Sequence, residues 1–86
     1  MAEYFLTIFQ EGSIYRPCFD MNRGGMLKTI KDAGGIGLKL MYQGMIQGGE
    51  QASIMHDYLK EANATGEFNR GDLERRLSRV IAEFTK

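Results

Sequence analysis

The chain has 86 residues, a mass of 9.7 kDa, 43% hydrophobic and 26% charged residues, and eleven bases against eleven acids. Such a length holds one domain, and zero net charge leaves no bulk field to gather polyanions or coat a membrane. The single cysteine, Cys18, excludes an internal disulfide framework, and no apolar run approaches the roughly 20 residues of a transmembrane helix.

Residues 3–21 read as a β-hairpin turning at Glu11-Gly12, which pairs Phe9 with Ile14, Thr7 with Arg16 and Phe5 with Cys18. One face then carries Tyr4, Leu6, Ile8, Tyr15, Pro17 and Phe19, and the other Phe5, Phe9, Ile14 and Cys18 beside Thr7 and Arg16. A one-residue slip would put Arg16 among Leu6 and Ile8, so hydrophobic patterning fixes the faces. Pro17 has no N–H to give to a ladder, which makes the second strand an edge.

Asn22-Arg23-Gly24-Gly25 is turn chemistry, and a short helix with Leu27 and Ile30 inward is expected over 25–33, stopped by Gly34-Gly35. Residues 36–47 fit two periods. Ile36, Leu38, Leu40 and Tyr42 alternate as a third strand would over 36–42, whereas Leu38, Met41, Tyr42, Met45 and Ile46 fit a helical stripe made of good helix formers. Helix is the preferred assignment, with Gly37, Gly44 and Gly48 along one line of it. A helix over 50–63 shows the stripe Ala52, Met55, Leu59 and Ala62, widened by Ile54 and Tyr58. Ala64-Thr65-Gly66 ends it. The last helix opens on Asn69 and Asp72, spaced as a capping pair, and carries Leu73, Leu77, Val80, Ile81 and Phe84, with Asp72–Arg76 and Arg79–Glu83 as i,i+4 pairs on its outer side. The fold class expected is α+β, one domain over 1–86, with an N-terminal antiparallel hairpin packed against three or four helices and the last helix on the aromatic face.

Candidate chemistry is sparse. Gly34-Gly35-Ile36-Gly37-Leu38-Lys39 resembles a phosphate cradle but fails both specific templates: Leu38 separates Gly37 from Lys39, and Leu40 stands where a dinucleotide fingerprint has its third glycine. His56 is the only histidine, so no histidine cluster for a metal exists. A Cys18–His56 nucleophile and base would have to meet in space, and Cys18 shares a strand face with Phe5 and Ile14, where thiols are usually inert. No metal, cofactor or catalytic residue is therefore expected, and the chain reads as a non-enzyme.

Two binding readings remain. Burial of roughly 135 kcal/mol against an ordering cost of about 130 leaves a monomer of this length marginal. A hairpin apolar on both faces and five internal methionines offer more apolar surface than one small core needs. The preferred reading is a small cytoplasmic regulatory protein that binds another protein through Phe5, Phe9, Ile14 and Arg16, expected as a homodimer, with no membrane partner. Inhibitors that phages and mobile elements use to occlude a host protein are the analogy. The alternative draws on residues 14–40, where five bases face two acids: Arg16, Arg23, Lys28, Lys31 and Lys39 would bind a nucleotide, a signalling phosphate or single-stranded nucleic acid. A pI near 6.6 argues against an extended nucleic-acid surface.

Overall fold

A computed structural model describes the backbone of residues 3–84 and the side chains of residues 3–78. The order is β1 (Glu3–Glu11), β2 (Ile14–Asp20), α1 (Arg23–Gly35), β3 (Lys39–Gln47), α2 (Gly48–Thr65) and α3 (Arg70–Phe84). The strands form one antiparallel sheet in the order β2-β1-β3, so the architecture is α+β with three helices among the described residues.

The hairpin faces are as the alternation requires, but its register is two residues away from the expected one. Glu11 pairs with Ile14, Phe9 with Arg16, Thr7 with Cys18 and Leu6 with Phe19, and the turn is Gly12-Ser13 with Gly12 at φ 61°. A shift of two leaves every side chain on its own face, because strand side chains alternate with period two.

The helix preferred for 36–47 is overturned. Residues 39–47 are β3, paired with β1 from Glu3↔Gln47 to Gln10↔Lys39, with an irregularity between Ile8 and Phe9 that leaves Met41 as the extra residue. Local propensity loses to a non-local demand: β1 is the central strand, and its Leu6 and Ile8, fully buried, need a second neighbour. Gly44 has a local use as well. A Cβ there would come within 2.9 Å of the Tyr42 ring carbon that bears the hydroxyl, so glycine lets that ring lie back along its own strand.

Helices α2 and α3 cover the face of Leu6, Ile8, Tyr15, Tyr42 and Ile46, contributing Met55, Tyr58, Leu59, Ala62, Leu73 and Leu77 to a single core. Gln51 is buried among them; its side-chain oxygen accepts the Gln47 N–H and its amide donates to the Leu77 carbonyl, tying the start of α2 to α3. Asn69 caps α3 by accepting from Asp72 N–H at 3.1 Å, as its spacing implied. Asp72 pairs with Arg75 rather than Arg76, which reaches across to Glu61 on α2 at 3.2 Å. Val80, Ile81 and Phe84, and the Arg79–Glu83 pair, lie outside the described side chains.

The second hairpin face is not free. α1, capped by Asn22 on the Gly25 N–H, crosses it and buries Phe9 and Thr7 with its own Met26 and Ala33. The expectation that this face is left wholly for a partner is corrected: the sheet has its own helices on both sides. The cover is narrow. Met26 and Ala33 are the buried residues of α1, not the expected inward pair: Leu27 stays exposed with Ile36, Leu40 and Met45, and Ile30 is half-buried.

Candidate functional site

Of the four residues expected at a protein interface, Phe9 is withdrawn: it is 5% exposed beneath α1 and packs the molecule's own interior. Phe5 is half-buried, and Ile14, 47% exposed, sits at the hairpin end opposite Glu11. Arg16 keeps 62% of its side chain exposed and forms an ion pair with Glu11 at 3.3 Å. These residues do not make one continuous patch, because α1 runs over the strand between them.

The five bases of the anion reading do not converge either. Arg16 stands on β2, Arg23 opens α1, and Lys28 and Lys31 lie on its exposed side. Lys39 pairs with Gln10, whose neighbour across the hairpin is the core residue Tyr15, so its side chain leaves from the α2 side of the sheet. The glycine-rich segment is no cradle. It is the carboxyl end of α1, where the N–H groups of Ile36, Gly37 and Leu38 already donate to carbonyls between Asp32 and Gly34. A helix carboxyl end carries partial negative charge and repels an anion.

Cys18 and His56 stand on opposite sides of the sheet. Cys18 lines a cavity of about 330 Å³ with Thr29, Asp32 and Ala33 of α1, whereas the His56 ring lies against Phe19 on the α2 side, centroids 5.7 Å apart. They form no nucleophile–base pair. No group of three metal-ligating side chains occurs among the described residues, and none of their helices is long and apolar enough to cross a membrane.

A cavity of about 480 Å³ lies at the bend between α2 and α3. Its polar groups are already matched: the Tyr58 hydroxyl donates to Asn69 O at 2.8 Å and accepts from Asn69 N–H at 2.7 Å, and Arg76 holds Glu61 while resting on the Tyr58 ring. Phe68 stacks on Tyr15 and meets Tyr58 edge-on, so the bend is a structural joint.

The surface with unspent binding capacity lies instead between α1 and β3. A cavity of about 290 Å³ is lined by Phe5, Arg23, Met26, Gln43, Gly44 and Met45. Met45 pairs with Phe5 and Leu40 with Phe9, so both side chains leave from the α1 side of the sheet, where they are 46% and 41% exposed. With Met26 inward and Arg23 in this cavity, 100° steps along the helix turn Leu27 and Ile30 toward the same flank. Leu27 is 52% exposed and Ile30 half-buried. Arg23 and Lys31 border this flank while Lys28 points away from the sheet, and among the described residues none of the three is within ion-pair distance of an acid. Of the acids on this side of the sheet, Glu11 pairs with Arg16 and Asp20 accepts from Thr29 at 3.1 Å toward β2, Glu3 accepts from the Gln47 side chain at 3.2 Å, and Asp32 of α1 lines the cavity on the β2 side. The sequence alone hides this flank as long as 36–47 is placed in a helix. Tyr42, Gly44 and Ile46 alternate on the core side, but the irregularity at Met41 puts Leu40 on the opposite side with Met45, so no simple alternation marks the flank.

No protein-family profile, curated protein or solved structure matches this chain.

Proposed function

We propose that the chain is a non-enzymatic binding protein that covers a surface of another protein with the α1–β3 flank, in the manner of a small inhibitor. The observation that supports this reading is the run of exposed apolar side chains, Leu27, Leu40 and Met45, beside a cavity rimmed by Arg23. A desolvated apolar centre with a charged rim is the usual anatomy of a protein contact, and arginine and methionine are enriched there. The test is affinity enrichment from the source cells with the wild-type chain and with Leu40→Glu/Met45→Glu, whose folding is checked by circular dichroism. A protein held by the wild type and released by the double variant is the expected result. Equal retention by both chains overturns the reading.

A second reading keeps an anionic small ligand, because among the described residues none of Arg23, Lys28 and Lys31 is within ion-pair distance of an acid. It requires the melting temperature to rise with nucleotide or inorganic phosphate, and that rise to vanish in Arg23→Glu and Lys28→Glu.

A further inference from the structure

The sheet has two edges, and they are treated differently. On β2, Asn63 of α2 accepts the Tyr15 N–H at 2.8 Å and donates to the Tyr15 carbonyl at 3.2 Å, taking both outward backbone groups of that residue as a neighbouring strand would. Backbone groups two residues apart in a strand point the same way, so Pro17 also faces outward and presents no N–H there. Arg16 and Asp20 add charge to the same strand. This edge is closed to pairing.

The same parity carries across the sheet. Tyr15 faces outward, so its partner Gln10 and the even residues of β1 turn their backbone groups toward β3. Gly44, opposite Leu6, and Ile46, opposite Tyr4, return those bonds, which leaves Gln43, Met45 and Gln47 directed outward. Gln51 takes the Gln47 N–H. No hydrogen bond among the described residues reaches the backbone of Gln43 or Met45 from that side. Lys39 and the irregularity at Met41 protect the start of β3, but from Tyr42 to Gln47 the strand contains no charge, proline or bulge, the devices by which proteins normally protect an edge.

We propose that β3 takes up an extended acidic segment of a partner protein as a fourth strand of the sheet. This rests on the protein-binding reading above and names how that surface is used. The segment's main chain bonds the N–H and C=O groups of Gln43 and Met45. Its side chains on the α1 side settle between Met45 and Leu40 on one wall and Leu27 and Ile30 on the other, and its carboxylates meet Arg23 and Lys31. Charge selects the occupant. A second copy of the chain would bring two sets of Arg23 and Lys31 together, and β3 itself offers no acid to them.

The test selects random dodecapeptides displayed on phage against the immobilised full chain. Amide exchange of the wild-type chain is then read by NMR with and without the recovered peptides. Expected are peptides rich in Asp and Glu alternating with apolar residues, exchange at the Gln43 and Met45 amides slowed at least tenfold in the complex, and affinity falling at least tenfold in Gln43→Pro and in Arg23→Glu/Lys31→Glu. Recovery of no peptides, recovery without acidic bias, or unchanged exchange at those two amides overturns the proposal. Exchange is measured on the unmutated chain, so a folding defect in Gln43→Pro does not touch that readout. Slow exchange at Gln43 and Met45 without peptide, together with a doubled mass on a sizing column, assigns the edge to a second copy and overturns it too. If the cellular partner is lost in Leu40→Glu/Met45→Glu while no peptide protects these amides, strand addition fails and the broader binding reading stands.

Discussion

The Tyr42 ring lies across Gly44 two residues along the same strand, so close that a Cβ at Gly44 would sit 3.1 Å from one ring carbon and closer to two other ring-end atoms. Tyr42 is buried, with the Arg70 guanidinium 5.6 Å from its ring centroid, and has little room to retreat. Gly44→Ala should therefore destabilise the fold by about 1–3 kcal/mol through overpacking. In a Tyr42→Leu background the same substitution should cost much less, which a double-mutant cycle by urea denaturation measures.

Tyr42 also sets an alkaline limit. Burial, and then the negative charge of Glu74, push its hydroxyl above the ordinary 10.0, with Arg70 opposing them. An acid with a raised folded-state pKa keeps its full contribution below the unfolded value and loses it as pH climbs through the folded one. Stability should thus hold up to pH 10 and fall above it, and Tyr42→Phe should flatten that fall. Melting temperatures between pH 9 and 12, read beside tyrosinate absorbance, check this.

Asn63 is the only side chain that hydrogen-bonds the Tyr15 backbone among the described residues. Asn63→Leu should cost about 1–3 kcal/mol, since an N–H and a carbonyl lose their partners. It should also speed hydrogen exchange at the Tyr15 amide while leaving Gln43 and Met45 unchanged.

Gln51 joins the β3–α2 corner to α3 through two hydrogen bonds in a buried position. Gln51→Met keeps the volume and leaves the Gln47 N–H without its acceptor, while the Leu77 carbonyl keeps its place in the α3 ladder, so a loss of about 1–3 kcal/mol is expected. Chemical denaturation of the variant gives the value.

Phe9 and Ile14 share a strand face in the sequence pattern and separate sharply by burial. Phe9→Ala should cost about 3–5 kcal/mol, as for a large side chain removed from a packed interior. Ile14→Asp should move the melting temperature little. If both variants melt alike, the placement of α1 over Phe9 is wrong.

Sequence patterning carried the face assignment of the hairpin, the edge role of Pro17, the Asn69 cap and the Leu73–Leu77 stripe, all of which depend on local spacing. It did not carry the strand at 39–47. Leu, Met and Gln there favour helix, and only the need of Leu6 and Ile8 for a second neighbour reverses that preference. The covering of Phe9 by α1 was equally hidden. A helix that buries little more than Met26 and Ala33 leaves too faint a stripe to announce which surface it protects. The α1–β3 flank arises from both of these, so it could be found only once the chain was folded.

The clasp of Asn63 on Tyr15 has a consequence for assembly. A sheet with both borders open can add units without end and grow into ribbons. Here Asn63 occupies the β2 border at Tyr15, so on the proposal of strand addition at β3 the sheet has a valence of one, and polymerisation stops where it starts.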